Sequence, residues 1–198
     1  VGAFALDANT TANNNTAIGY NCLTSNTTGT SNTAIGSETL DANTTGTANI
    51  AVGGGALGAN TTGGQNVAVG VQALLLNSTG THNIAVGTNS FNENTTGSYN
   101  TGIGGFALQD NTTANFNTAI GYGSLSANTT GTDNAALGSN SLDANTEGDG
   151  NTGIGRHALS ANTTADYNTA VGNNALAANT TGTQNTALGA FALDANTT

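Results

Sequence analysis

Residues 15–31 of this chain read NTAIGYNCLTSNTTGTS, and the same pattern begins again at Asn32. The period is 17 residues, and no insertion or deletion interrupts it along the 198 residues. Glycine recurs at this interval twelve times, from Gly2 to Gly189. A short, fixed period is typical of stacked structural units rather than of a compact globule. The sequence therefore predicts a single continuous repeat array over residues 1–198, an excerpt or protomer of a longer rod or fibril.

We number the repeat from the residue before this glycine, so that Val1 occupies position 1. Position 1 is always Val, Ile or Leu, position 2 is Gly, position 5 is Ala, Ser, Thr or Cys, and position 6 is Leu except at Phe91. Positions 9 and 15 are Asn in every copy that reaches them. Because Asn, Thr and Gly dominate the unit and are weak helix formers, a helical repeat is disfavoured.

Two segments of each repeat resemble short β-strands, and turn clusters separate them. Positions 15 to 2 place β-branched residues at positions 16 and 1 on one face and small residues at positions 17 and 2 on the other. Positions 4 to 8 form the second candidate strand. The prediction is an all-β fold, a parallel β-solenoid or β-roll of twelve 17-residue coils with two short strands per coil. The coils would stack about 4.8 Å apart, with positions 1 and 6 filling the core.

Stacking in register would place equivalent asparagines above one another as ladders of side-chain amides, each amide donating to one neighbouring coil and accepting from the other. The first ladder, at position 9, comprises Asn9, Asn26, Asn43, Asn60, Asn77, Asn94, Asn111, Asn128, Asn145, Asn162, Asn179 and Asn196. The second, at position 15, comprises Asn15, Asn32, Asn49, Asn66, Asn83, Asn100, Asn117, Asn134, Asn151, Asn168 and Asn185.

Glycine at position 2 indicates a positive φ or a close backbone approach. Position 12 offers a second test, because it is Gly in eight copies and Ala at Ala12, Ala114 and Ala165. In those three copies the next residue is Asn13, Asn115 or Asp166, and Asn and Asp best tolerate a left-handed backbone after Gly. The hypothesis is that this turn needs one positive φ, which moves to position 13 when Gly is lost.

The predicted core is thin, so burial at about 25 cal/mol per Å² contributes little, and we expect self-association as a trimer or an end-to-end fibril. Ile50, Val67 and Ile84 occupy position 16 in three consecutive coils. Val71, Leu75 and Leu76 lie close to them in the sequence. These six residues are either an apolar contact patch or a locally thicker core.

The repeat Asn-Thr-Ala-Ile-Gly-x-x-Ala-Leu-x-x-Asn-Thr-Thr-Gly resembles two known repeat classes. One is the head of YadA-like trimeric autotransporter adhesins, whose shorter unit carries a similar Ala-Ile-Gly-x-x-Ala core in parallel β-rolls. The other, more similar over the whole chain, is the array of tail-fibre-like proteins of phages and environmental bacteria. The resemblance implies an extracellular, cell-surface or virion-surface rod that displays or spaces a binding element, and it implies no catalytic residues.

Position 9 also begins an Asn-x-Ser/Thr sequon in eleven of twelve coils, the exception being Asn145. The residues considered as N-glycosylation sites are Asn26, Asn43, Asn60, Asn77, Asn94, Asn111, Asn128, Asn162 and Asn179. The alternative explanation is the ladder, since Asn145 is kept without a sequon and position 15 is Asn without one.

The acidic residues are dispersed, and the region from Asp143 to Glu147 only faintly resembles a calcium loop. Asp143, Glu147, Asp149 and Asp166 are weak metal candidates, and a solvated acidic surface is the alternative. We therefore predict no metal and no cofactor. His82 and His157 occupy different repeat positions five coils apart, which disfavours a shared catalytic or metal site. No enzyme activity is predicted.

Composition narrows the classes of partner. The chain has 11 acidic residues against one basic residue, for a net charge of −10, so binding to nucleic acid is not expected. No apolar run approaches the roughly 18 residues of a membrane span. Cys22 stands alone at a position of small residues, and a small buried side chain is the preferred interpretation over a reactive thiol.

The sequence thus favours a structural rod or fibril segment of an extracellular appendage, adhesin or tail fibre, with further copies of itself as the partner. The alternative is a surface binding module, for glycans or for ice. Exposed aromatics, such as Tyr99 and Phe116 stacked at position 14, are candidates to contact sugars or to pack on one another. Thr-Gly-Thr, which recurs from residues 28–30 onward, is the candidate for ordering water. A binding module predicts one flat, regular exposed face, whereas a structural rod predicts strong self-association.

Overall fold

The computed structural model describes residues 2–198 as an all-β parallel solenoid with no helix. Val1, the first position-1 residue of the repeat, lies outside the described residues. The eleven strands, β1 to β11, are Thr16–Ile18, Thr33–Ile35, Ile50–Val52, Val67–Val69, Ile84–Val86, Thr101–Ile103, Thr118–Ile120, Ala135–Leu137, Thr152–Ile154, Thr169–Val171 and Thr186–Leu188. Each comprises positions 16 and 17 of one repeat and position 1 of the next.

The strands form one sheet in sequence order, and every pair is parallel. The register joins residues 17 apart, for example Ala17 to Ala34 and Ile18 to Ile35. Each repeat is therefore one turn of the solenoid, as the invariant period predicts. Neighbouring strands of a sheet lie about 4.8 Å apart, so the eleven-stranded sheet is about 50 Å long.

Each coil has one strand, so the prediction of two strands per coil is wrong. Positions 4 and 6 have a positive φ, of 51° at Asn21 and 52° at Leu23, which bends the chain into turns. These turns still pair from coil to coil, because the Leu23 N–H donates to the Thr39 carbonyl at 3.1 Å. A left-handed Leu costs about 1 kcal/mol. Complete burial of its side chain offsets that strain.

The core consists of position 6 with small residues around it. Position 6 is fully buried from Leu23 to Leu176, and the alanines of position 17 lie beside it. Position 1, predicted to fill the core, instead faces outward, with Ile18 47% exposed. The strand alternates as expected, but only position 17 points inward. The interior already holds a Leu and two Asn per coil, so Ala or Gly fits where Ile does not.

The outward orientation of positions 16 and 1 also decides whether the six apolar residues are a contact patch or a locally thicker core. Ile50 is 45% exposed and Ile84 is 40% exposed, and Val71 and Leu76 are also exposed. Val67 and Leu75 are half-buried. A locally thicker core is therefore wrong at Ile50 and Ile84, whose side chains lie on the outside of the solenoid.

The turn hypothesis at positions 12 and 13 is wrong. Neither Gly29 nor Asn13 has a positive φ, and the left-handed residue lies at position 14, with φ of 61° at Ser31. Glycine at position 12 is explained by crowding, because a Cβ on Gly29 would lie 2.5 Å from Asn26 Oδ1. In two of the three coils with Ala, position 13 bonds to the preceding coil, since Asn115 Oδ1 accepts from the Ser98 N–H at 2.7 Å and Asp166 Oδ1 accepts from the Asp149 N–H at 2.8 Å.

Glycine at position 2 has both properties that the sequence indicates. Its φ lies in the range that disfavours other residues, for example 141° at Gly70. A Cβ on Gly70 would also clash with the backbone carbonyl of Gly87 in the next coil. At position 3 the space is open, since a Cβ on Gly54 would meet only the Ser37 carbonyl oxygen, at 3.9 Å.

Gly70→Ala is therefore expected to lower the free energy of unfolding by about 3 kcal/mol or more, because it adds backbone strain to a backbone clash. Gly54→Ala is the matched control and should change it by less than about 0.5 kcal/mol. Urea unfolding followed by circular dichroism measures both. Equal stability of the two variants would show that position 2 does not require glycine.

Candidate functional site

The asparagines of position 9 form an unbroken ladder of side-chain hydrogen bonds. Asn43 Nδ2 donates to Asn26 Oδ1 at 2.8 Å, and Asn60 Nδ2 donates to Asn43 Oδ1 at 2.8 Å. The same link joins each successive pair from Asn9 to Asn179. All members from Asn26 to Asn179 are buried. The predicted ladder is confirmed over this range, whereas Asn196 Nδ2 donates to the Thr198 carbonyl instead.

The asparagines of position 15 also connect the coils, but through the backbone. Asn32 Oδ1 accepts from the backbone N–H of Asn49 at 2.9 Å, and Asn32 Nδ2 donates to the Gly46 carbonyl at 2.8 Å. Each side chain therefore fastens the next coil at two points. In most coils the amides do not bond to one another, so this ladder differs from the amide-to-amide chain that the sequence suggested.

The two ladders meet at the carbonyl of position 12. The Gly46 carbonyl accepts from Asn43 Nδ2, in its own coil, at 3.1 Å and from Asn32 Nδ2, in the preceding coil, at 2.8 Å. One backbone oxygen thus uses both of its lone pairs on invariant asparagines. This shared acceptor explains why Asn occurs at both positions in every coil.

The sequons lie inside this network. Both protons of Asn43 Nδ2 are donated, to Asn26 Oδ1 and the Gly46 carbonyl. The hydroxyl of the following Thr44 donates to the Thr61 carbonyl of the next coil at 3.1 Å. A glycan on Nδ2 would have to displace these buried bonds. Glycosylation stays a prediction, and the geometry gives a structural role to the sequon asparagine and to Thr44, the middle residue of the sequon.

Asn60→Ala is expected to lower the free energy of unfolding by about 2–4 kcal/mol. The substitution leaves Asn43 Oδ1 without its donor and Asn77 Nδ2 without its acceptor, both in buried surroundings. Thr62→Ala, at an exposed position of the same coil, should cost less than about 0.5 kcal/mol. Thermal and urea unfolding give the comparison, and equal losses would contradict a stabilising ladder.

The four weak metal candidates are not brought together into one site. Asp149 Oδ1 accepts from the Thr132 N–H at 2.6 Å, and Asp166 Oδ1 accepts from the Asp149 N–H at 2.8 Å. Glu147 is exposed, and Asp143 accepts from Asn140 Nδ2 at 3.3 Å. No group of three potential metal-ligating side chains occurs within residues 2–198. Two of these carboxylates therefore cap backbone N–H groups of the preceding coil.

Asp143 is a partly buried acid with unfavourable surroundings. Its Oδ1 is buried and lacks a hydrogen-bond partner. Burial raises the pKa of this carboxyl above its ordinary value, and the Asn140 bond and the nearby His157 only partly oppose the shift. At the same position in another coil, Asn92 Nδ2 donates to the Gln72 carbonyl at 3.1 Å. The Gly123 carbonyl is the equivalent acceptor for residue 143.

Asp143→Asn is expected to raise the free energy of unfolding by about 1 kcal/mol at pH 7, by gaining the bond that Asn92 makes. Because folding raises the pKa of Asp143, ionisation destabilises the folded chain as the pH rises through that pKa. The advantage of the variant should therefore shrink below that pKa. Unfolding measured from pH 3 to 8 tests this, with Asp110→Asn at an exposed acid as control. A constant difference across the range would contradict the assignment.

Cys22 is buried, as predicted for a small interior residue. Its Sγ donates to the Ala34 carbonyl at 3.1 Å, and burial raises the pKa of the thiol. Hydroxyls at the same position make the equivalent contact, for example Ser90 Oγ to the Gly102 carbonyl at 3.0 Å. The thiol therefore replaces one of several polar groups that join a coil to the next strand.

The outward side of the sheet, which we call the outer face, consists of positions 16 and 1 of β1 to β11. Position 1 supplies Ile, Val or Leu in every strand, and all are exposed or half-buried. Position 16 supplies Thr in seven strands, Ala135 in one, and Ile50, Val67 and Ile84 in β3 to β5. Sequence reasoning missed this face because it assigned position 1 to the core.

Aromatic side chains stack beside the outer face. The Tyr99 and Phe116 rings lie 5.4 Å apart between centroids and 11° from parallel, which confirms their predicted stacking. His82 extends the column, 4.7 Å from Tyr99. Tyr99 thus has a ring against each of its two faces, so packing on neighbours accounts for this column better than sugar contact does.

The Thr-Gly-Thr segments lie outside the strands, in irregular segments of the chain, as residues 28–30 illustrate. No cavity was found among residues 2–198. None of the described residues belongs to a helix that could cross a membrane.

Comparisons with protein-family models, curated proteins and solved structures found no match for this chain. The ladders and the outer face are therefore the two regular features of the described residues that can carry a function.

Proposed function

We propose that this chain is a structural rod or fibril segment of an extracellular appendage, adhesin or tail fibre. The observation that carries the proposal is the unbroken position-9 ladder, which links consecutive coils from Asn9 to Asn179. A buried amide series of this length joins coil to coil and leaves no amide proton for a ligand. The ladder therefore suits a structural role in holding the coils together.

Mechanical continuity supports the same proposal. Most junctions between coils combine parallel strand pairing, two asparagine contacts and a position-10 hydroxyl bond such as Thr61 Oγ1 to the Ser78 carbonyl at 3.1 Å. Because the junctions are nearly identical, bending at one coil meets the same resistance as at any other. Such a unit suits a spacer that holds a binding element at a distance.

An extracellular, cell-surface or virion-surface location is part of the proposal. One basic residue, Arg156, leaves a single site for trypsin-like proteases, which suits a protease-rich exterior. The resemblance to tail-fibre-like arrays and YadA-like adhesin heads supports the same location.

Immunogold electron microscopy of the source material, with antibodies raised against the purified chain, tests this function. Gold particles along filaments or appendages outside the cell or virion are the expected result. Labelling confined to the cell interior would contradict it. Antibodies depleted on the purified chain provide the control for specificity.

A surface binding module, for glycans or ice, is the second candidate, and the regular array of the outer face is the observation that favours it. The array alternates Thr and aliphatic columns, as at Thr101 and Ile103. Thermal hysteresis of the purified chain, lost on Thr101→Lys and kept on Thr96→Lys outside the face, would support ice binding. Absence of hysteresis would remove it.

A further inference from the structure

The outer face carries a continuous aliphatic column that the solenoid itself does not cover. Its position-1 column includes Ile18, Ile103 and Leu137, all exposed, and the column runs the whole length of the sheet. Within β3 to β5 both columns are aliphatic, since these strands read Ile-Ala-Val, Val-Ala-Val and Ile-Ala-Val. Soluble monomers rarely expose continuous apolar surface on this scale.

Charge is excluded from the outer face although the chain is strongly acidic. All 11 acidic side chains and Arg156 lie at repeat positions 3, 4, 7, 8, 11, 13 or 14, and none lies at position 16 or 1. Two copies of a chain with a net charge of −10 repel each other where acidic surfaces meet. The outer face is the strip along which two copies can approach with the least repulsion.

The size of the face fits a pairwise interface. Eleven strands about 4.8 Å apart and two side-chain columns give a strip of about 50 by 12 Å, or roughly 600 Å² per copy. Face-to-face pairing of two strips would bury roughly 1,200 Å², which exceeds the roughly 1,000 Å² expected of a specific interface. Both strips share the same repeat spacing, so their side chains can interdigitate along the whole length.

We infer that the outer face is covered by the outer face of a second copy of this chain, so that two rods pair side by side. The inference rests on the proposed function as a structural rod and adds the surface by which rods associate. A charged partner would gain no ion pair on this face. Another copy presents the same neutral strip with the same periodicity.

Sedimentation equilibrium of the full chain tests the pairing. The expected mass is twice the chain mass, and X-ray scattering should show a thicker rod of unchanged length. Ile103→Glu with Ile120→Glu places like charges within the interface and should weaken pairing at least about a hundredfold. Ile103→Val with Ile120→Val should preserve it, because Val86 is native at this position.

Thr96→Glu with Thr113→Glu is the matched control, with the same added charge at exposed position 11, where Glu147 is native. It should change the dissociation constant by less than about twofold. Circular dichroism checks that each variant folds.

If the Glu variant of the face does not fold, a nitroxide label attached at Thr118→Cys, in a Cys22→Ala background, tests the pairing instead. At concentrations where the rods pair, the label at residue 118 should become less accessible to a dissolved relaxation agent. A label on Thr113→Cys, outside the face, should stay equally accessible at all concentrations.

A monomeric wild-type chain, or a dimer weakened equally by the face and control substitutions, would overturn the inference. A doubled mass with a doubled length would also overturn it, because that result indicates end-to-end association. None of these outcomes bears on the immunogold test, so failure of the pairing and failure of the proposed function are distinguishable.

Discussion

The contact between two asparagine amides and one position-12 carbonyl is the interaction on which the rest of the solenoid depends. At Gly46 this carbonyl receives Asn43 from its own coil and Asn32 from the preceding coil. The contact satisfies the interior polar groups that a coil this narrow cannot expose to water. It also holds the turn tightly enough that a Cβ at position 12 is crowded, which explains why Gly predominates there.

A narrow interior has a consequence for the surface. One Leu, two Asn and a few small side chains occupy each coil, so the larger residue of each strand faces out. Ile18 is exposed for this reason, while Ala17 lies inside. The same constraint that makes the core polar therefore creates a long apolar strip on the outside. The small interior volume of each coil therefore explains both the polar core and the exposed aliphatic column, which is the surface of the proposed assembly.

Much of this architecture was predictable. The period predicted one coil per repeat, the invariant Asn predicted the ladders, and Gly70 and its equivalents predicted a constrained backbone. The second strand was not predictable from pattern alone, because Leu23 suits a strand by composition but has a left-handed φ of 52°. The turn hypothesis at position 12 failed for a related reason, since the sequence shows that glycine predominates there but not whether φ or crowding favours it.

By itself, the sequence determined the repeat unit, the register and the identity of the ladder residues, because these follow from exact spacing and from invariant amide side chains at two positions of every coil. Only the tertiary structure decided which side of each strand is the interior. Alternation places Thr16 and Ile18 on one face and Ala17 on the other, but it does not say which face is enclosed. That choice depends on the cross-section left by Leu23 and the asparagines, a volume that exists only once the coil has closed.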